Sequence, residues 1–297
     1  MKLRKVLGLM ATVAMTMSMA VGCGSDGGNS EKTAFDPTYE ITVITREEGS
    51  GTRGAFVELL GIEEKNAEGE KVDYTTVDAV TMNNTSGVIS TVAGDEYAIG
   101  YVSLGSLNDT VKALDINGAE ATEENIKNGS YEVARPFNIA TKGEVSEVTQ
   151  DFIDFILSTQ GQTVVSENGY ISLDETVDYA GTKPAGEIVV AGSTSVSPVM
   201  EKLKEAYIAI NPNASIQIQT NDSSTGMSMV AEGTCDIGMA SRELKDSEHA
   251  EGLNGTVIAT DGIAVIVNRA NTLEDIASED VKAIYVGDAC TWDEVIK

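Results

Sequence analysis

Two kinds of segment each occur twice in this chain, and any fold must accommodate both pairs. EITVITREEGSGTRGAFVELL (residues 40–60) and EIVVAGSTSVSPVMEKLKEAY (187–207) both run from a strand through a loop of hydroxyls and glycines into an amphipathic helix. The second strand is short and almost entirely apolar, as a strand buried on both faces should be. In the helix after it Val199, Leu203, Tyr207 and Ile210 recur at helical spacing, with Pro198 suited to the first turn. NTSGVISTVAGDEYAIGYV (84–102) and SSTGMSMVAEGTCDIGMA (223–240) form the second pair: a hydroxyl-rich helix start, a short helix, a polar turn and a strand ending in Ile-Gly. A near-duplicated βα unit in this order predicts two similar α/β lobes.

The four helix starts, near Ser50, Ser86, Ser195 and Ser223, carry Gly, Ser and Thr. A helix N-terminus presents unpaired N–H groups and the positive end of the helix dipole, which together favour an anion. Any one of these hydroxyls is accounted for as an ordinary N-cap; four of them in two duplicated units point to a ligand. Arg46 precedes the Gly49-Ser50-Gly51-Thr52 loop and can add a planar two-pronged donor for an oxyanion, with Glu48 placed to orient it. The other reading of Arg46 is a surface charge at a strand end. Arg53, one residue past the loop, is expected to be solvated.

A chain of 297 residues has room for about two compact units. Its 20 Lys and Arg against 47 Asp and Glu give a formal charge of −27, so nucleic acid is excluded as a partner by long-range repulsion. An anion must therefore be held by short-range donors. Lys2, Arg4 and Lys5, an uncharged run from Val6 to Met19, and then Ala20-Val21-Gly22-Cys23 resemble a bacterial lipoprotein signal, residues 1–22, with Cys23 as the lipid-modified N-terminus. The run is short of the roughly 20 apolar residues that span a bilayer. Residues 23–39 then form the lipidated Cys and a Gly/Ser-rich flexible tether. Cys235 and Cys290 either pair as a disulfide or stay apart, with Cys235 packing as a small hydrophobe.

An enzyme finds little support. His249 is the one histidine and lies in the charged run KDSEHAEG; there is no Gly-x-Ser-x-Gly elbow, no Cys/His metal spacing and no Walker loop. Neither a cofactor nor a metal is expected.

AGSTSVSPVMEKL, the SSTG turn, DIGMASRELK, TDGIAVIVN, VITREEGSGTR, AIGYVSLG and DFIDFILSTQGQ…ENGY together resemble the phosphate-binding proteins of bacterial phosphate ABC importers, over nearly all of residues 40–297. The resemblance implies an α/β, two-lobe periplasmic-binding-protein-like fold (type II) with the ligand cleft between the lobes. In that family the AGSTSVSP unit comes first and the REEGSGTR unit follows the TWDEV segment, so this chain reads as circularly permuted, with residues 174–187 as the new joint. One lobe would be 139–269 and the other 40–138 plus 270–297, with crossovers near Phe137-Asn138 and Val267-Asn268. Lys297 and Glu40 should then lie close together.

Carried over position by position, the resemblance puts the phosphate contacts on Thr194, Ser195 and Ser223, and across the cleft on Arg46, Ser50, Gly51 and Thr52. Ser224 and Ser86 are further candidates. The family's carboxylate acceptor for the phosphate proton does not carry over, because Arg242 stands in its place; Asp261 is the replacement candidate, and Arg242 either reaches the anion or pairs with Asp261. An acceptor matters because phosphate near neutral pH keeps a proton that sulfate lacks. The implied function is extracytoplasmic binding of phosphate and delivery to the membrane permease of an ABC importer, as a lipid-anchored monomer. Binding of sulfate, molybdate or tungstate, or a surface or signalling module with the same fold, are the alternatives.

Overall fold

A computed structural model describes residues 35–296, so Cys23, the signal and most of the tether lie outside the described residues, as does Lys297. The chain opens with β1 (Thr42–Arg46), α1 (Gly51–Leu59), β2 (Glu63–Lys65), β3 (Lys71–Asp73), β4 (Val80–Met82), α2 (Thr85–Gly94) and β5 (Ala98–Ser103). After a 3-10 turn (Leu104–Ser106) come β6 (Val111–Ala113), β7 (Asp115–Ile116), α3 (Glu123–Lys127) and the long β8 (Ala134–Lys142). The next stretch is α4 (Glu147–Leu157), α5 (Thr159–Glu167), β9 (Gly186–Ser193), α6 (Ser197–Ile210), β10 (Ala214–Asn221), α7 (Ser223–Ala231), β11 (Ile237–Ala240) and α8 (Asp246–Ala250). It ends with β12 (Leu253–Asn268), β13 (Asp275–Ile276), α9 (Ser278–Val286) and a 3-10 turn (Trp292–Glu294).

Both duplicated units fold as their patterns imply. β1 leads into α1 and β9 into α6, while α2 precedes β5 and α7 precedes β11. The main sheet runs β10-β9-β11-β8-β12-β5-β1-β4, with β6 paired to β12. Its two flanks are parallel, β9 with β10 and β11, and β1 with β4 and β5. The middle is antiparallel, where β8 pairs with β11 and β12, and β12 with β5. Strands covered on both faces need to be apolar throughout, and every residue of β5, AIGYVS, is buried.

Two large cores result. Ile44, Phe56, Ile99, Tyr101, Val265 and Tyr285 belong to the first; Phe152, Ile156, Val190, Leu203, Tyr207 and Met239 belong to the second. The chain passes between them twice, between Val133 and Phe137 where β8 begins and between Ala259 and Ile263 on β12. The second passage precedes the expected Val267-Asn268 position, because Ile263 to Val267 already pack in the first core opposite β5. Cys235 is buried beside Met227 and Val230, Cys290 is exposed, and both are free thiols.

The two ends of the described chain meet. Glu40 forms an antiparallel bridge with Thr291, and Ile41 N–H donates to the Cys290 carbonyl at 2.7 Å. Trp292, fully buried, donates Nε1–H to the Tyr97 carbonyl at 3.1 Å. The 174–187 segment is tied down through Asp151, whose carboxylate accepts from Tyr179 Oη (2.6 Å), Tyr207 Oη (2.7 Å) and Thr182 N (3.0 Å). Among the described residues no helix is long and apolar enough to cross a membrane.

Candidate anion site in the cleft

Four helix N-termini converge where the two cores face each other. Ser50 caps α1, accepting from Arg53 N; Asn84 caps α2, accepting from Gly87 N at 2.7 Å; Asp222 caps α7, accepting from Thr225 N at 2.8 Å. α6 starts at Ser197 without a side-chain cap and with Pro198 in its first turn, so Thr194 and Ser195 sit in the turn that feeds it. At α1, α2 and α7 a short polar cap holds the first turn and leaves the following hydroxyl, Thr52, Thr85 or Ser223, at the cleft.

Arg46 is the centre of the arrangement, at 2% exposure. Its Nε and Nη2 donate to the two oxygens of Glu47 at 2.7 and 2.6 Å, Nη1 donates to Thr85 Oγ1 at 3.3 Å, and Nη2 reaches Thr194 Oγ1 at 3.1 Å. Its backbone is fixed as well. Tyr101 Oη accepts from Arg46 N at 3.1 Å, and the Arg46 carbonyl accepts from Arg53 Nη1 at 2.9 Å. Burial raises the Tyr101 phenol above its ordinary range, against the pull of Thr45 and of Arg46 N–H, so it stays a neutral donor and acceptor.

The cleft is closed by hydroxyls that meet across it. Thr52 Oγ1 and Ser195 Oγ share a hydrogen bond at 2.7 Å, and Thr85 Oγ1 lies 3.2 Å from Thr194 Oγ1 and 3.4 Å from Ser195 Oγ. Ser223 Oγ accepts from Ser241 N at 3.2 Å, and Ser193 Oγ donates to Ser241 Oγ at 2.9 Å. Gly51 permits the approach: a Cβ there would stand 2.5 Å from Ser223 Oγ and 2.8 Å from Ser241 Oγ. Seven buried or half-buried hydroxyls, one buried guanidinium and the N-termini of α1, α2 and α7 are a donor set for an oxyanion, because hydroxyls that bond each other exchange those bonds for an anion's oxygens without loss of count.

Arg46, Ser50, Gly51, Thr52, Thr194, Ser195 and Ser223 therefore lie together. Other expectations shift. Ser86 is exposed, and Thr85 points inward in its place, since the Asn84 cap starts α2 one residue earlier. Glu47 orients Arg46, while Glu48 is exposed. Arg53 is not simply solvated: its Nε pairs with Asp73 at 2.8 Å. Arg242 pairs neither with Asp261 nor with an open cleft; its Nη1 and Nη2 grip Glu248 at 2.9 and 2.7 Å, and Nη2 reaches Ser224 Oγ at 3.3 Å. Burial raises the Glu248 carboxyl, but the Arg242 fork and Lys245 N–H outweigh it and hold the acid low.

Asp261 lies on β12 at the passage between cores and is taken up by Arg135 Nη2 (3.0 Å) and Ser103 Oγ (2.8 Å), so it is not among the cleft hydroxyls. Thr85, Ser193, Ser241 and Glu47 are not singled out by the sequence pattern. Only the NNT spacing, a cap followed directly by a hydroxyl, signals Thr85. His249 is exposed, and among the described residues no group of three or more His, Cys, Asp or Glu is placed to hold a metal.

Comparison with known proteins identifies the family. The PBP superfamily domain, PBP_like_2, matches in two stretches, residues 30–160 and 177–297. A protein of Streptococcus agalactiae named phosphate-binding protein PstS 2 is 50% identical over 299 residues, covering 100% of both chains. The PstS 2 of Streptococcus pneumoniae is 44% identical over 99% of this chain and 100% of its own length. A solved structure described as a phosphate ABC transporter, phosphate-binding protein from Streptococcus pneumoniae superposes with a TM-score of 0.69 at 46% identity, covering 86% of this chain and 100% of that one. With this identity sustained from end to end, the chain belongs to the PstS family of phosphate-binding proteins within the PBP superfamily.

Proposed function

We propose that this chain binds inorganic phosphate between its two lobes, as the extracytoplasmic component of an ABC importer, and delivers it to the membrane permease. The observation that carries the reading is Arg46, buried and fixed at its backbone, with Thr85 and Thr194 bound to the same guanidinium from opposite sides of the cleft. In the proposed complex Arg46, Ser50, Gly51, Thr52, Thr85, Thr194, Ser195 and Ser223 supply the donors, and Ser241, Ser224 and Arg242 shape the wall behind them. These groups are hydrogen-bond donors for an oxyanion, which supports a binding role. Attachment through a lipid on Cys23 would keep a monomer at the outer face of the membrane, with both lobes free to dock on the permease.

The permuted order is part of the same proposal. It draws support from the Glu40–Thr291 bridge, where the family's continuous chain would run. Calorimetric titration of the purified chain with phosphate tests the reading: one site per monomer is expected. Absence of heat at any phosphate concentration in the millimolar range or below would sink it.

One observation keeps a second oxyanion in view. The carboxylates nearest the site are engaged, Glu47 with Arg46 and Asp222 with Thr225, and so neither is free to accept a phosphate proton. Competition with sulfate decides between the two. Phosphate should persist in the presence of excess sulfate; displacement at equal concentration would favour the broader oxyanion binder.

A further inference from the structure

The two passages between the cores carry a buried ion pair that makes no hydrogen bond to the cleft hydroxyls, although its Arg135 lies within electrostatic reach of Arg46. In the β8–β12 ladder Arg135 lies directly opposite Asp261, and these residues fall midway through the two passages, Val133 to Phe137 and Ala259 to Ile263. The pair is closed at 3.0 Å, with side chains 2% and 0% exposed. Asp261 also anchors the first core's 3-10 turn, accepting from Ser103 Oγ at 2.8 Å and from the backbone N–H groups of Leu104 and Gly105.

That turn touches the second core. Gly105 is packed so tightly on Tyr170 that a Cβ would stand 2.2 Å from the ring's Cζ. Tyr170 belongs to the second core and lies 5.5 Å from the Phe137 ring, over which the Arg135 guanidinium sits at 5.5 Å. Turn, tyrosine, phenylalanine, arginine and aspartate thus form one continuous stack across both passages. Any rotation that opens the cleft must bend β8 and β12 and lift Gly105 from Tyr170, because these strands and this contact link the moving parts.

We propose that Arg135 and Asp261 are the positioning pair of a hinge latch which, with the Gly105–Tyr170 contact, holds the closed form and so sets how long the anion is kept without touching it.

The pair is suited to a latch that must let go. Arg135 Nε and Nη1 are buried without a partner, so desolvation of the guanidinium offsets much of what the Asp261 contact contributes to the closed form. Burial raises the Asp261 carboxyl to about 6 and lowers the Arg135 guanidinium to about 10, the loss of solvent exceeding the mutual attraction on both sides.

This inference rests on the phosphate-binding reading for its kinetic arm but not for its structural one. The experiment uses the full chain, with Gly105→Ala as a wedge, Asp261→Asn as an isosteric removal of the ion pair, and Gly105→Ala/Tyr170→Leu as relief of the wedge. Small-angle scattering without ligand should give a larger radius of gyration for both single variants than for the parent. Stopped-flow and calorimetry with phosphate should show release at least tenfold faster and affinity at least tenfold weaker, with association within threefold of the parent. The relief variant should recover most of that loss. The proposal is overturned if both single variants, folded by circular dichroism, keep the parent's ligand-free dimensions, or if the loss appears in association and not in release. Should Gly105→Ala fail to fold, Asp261→Asn alone is held to the same two outcomes. If even the parent binds no phosphate, the functional reading falls while the scattering comparison still tests the latch.

Discussion

Replacing Arg46 by alanine removes the one guanidinium bound to hydroxyls from both sides of the cleft, Thr85 at 3.3 Å and Thr194 at 3.1 Å. Truncating one partner of a buried, charge-assisted contact costs about 2–5 kcal/mol. At about 1.4 kcal/mol per tenfold change, that is a loss of roughly 30-fold to more than a thousandfold in phosphate affinity. The structure favours the upper part of the range, because Glu47 would lose both of its short bonds to Arg46 and leave a bare carboxylate beside the dianion. Adding Glu47→Gln should therefore recover part of the loss. The net charge of −27 adds little to the balance, since screening over about 8 Å at physiological salt confines it to the approach. Calorimetry on parent, single and double variants reads the effect, with circular dichroism to confirm folding. An Arg46→Ala protein that binds phosphate within threefold of the parent would refute the placement of the site.

Other outcomes follow from the same structure. Gly51→Ala should weaken phosphate at least tenfold with the fold intact, because its Cβ would stand 2.5 Å from Ser223 Oγ and block closure; scattering should show no compaction on adding phosphate. Ser195→Ala should cost less than Arg46→Ala, about 0.5–1.5 kcal/mol and at most about 3, since one hydroxyl goes and the backbone donors stay. Asp261, faced by Arg135, Tyr131 and Tyr170, titrates near 6 when folded against 3.8 when unfolded. Its protonated form is thus favoured by folding, and its contribution to stability is full below about pH 4 and lost as pH rises through 6. Urea unfolding should show Asp261→Asn gaining on the parent by up to roughly 3 kcal/mol over that window, and a constant difference would contradict the assignment. Asp151→Ala should destabilise by about 2–4 kcal/mol, because the Tyr179 and Tyr207 O–H donors lose their acceptor, and should make residues 174–187 more sensitive to limited proteolysis than in the parent.

Much of the site was legible because its chemistry is local. The GSGT, STS and SST runs place hydroxyls at helix starts, and where a helix starts is set by residues two or three apart, as where Ser50 caps α1 and Asp222 caps α7. The misses have a common cause, which is one-residue geometry. Thr85 replaces Ser86 because Asn84 takes the cap, and Glu47 replaces Glu48 because only it reaches both nitrogens of Arg46. Asp261 and Arg242 were beyond reach for another reason. Their partners, Arg135 and Glu248, are set by strand register and by the position of a short helix, and nothing in the spacing of charges along the chain announces either. The passage between cores on β12 was likewise hidden, since GIAVIVN reads as one uniform apolar strand whichever core it enters.

The bridge between Glu40 and Thr291 has a consequence for how the molecule is made. The second core, residues 137 to 259, is contiguous, whereas the first draws on residues 43 to 133 and again on 263 to 295. Synthesis proceeds from the N-terminus, and domains fold as units once their parts are present. The first core must therefore wait for Val281, Ile284, Tyr285 and Trp292 to arrive, although its opening strands are translated first. The opening strands of the first core are thus the earliest made and the last to be buried, a long interval in which they are open to chaperones before the lobe can lock.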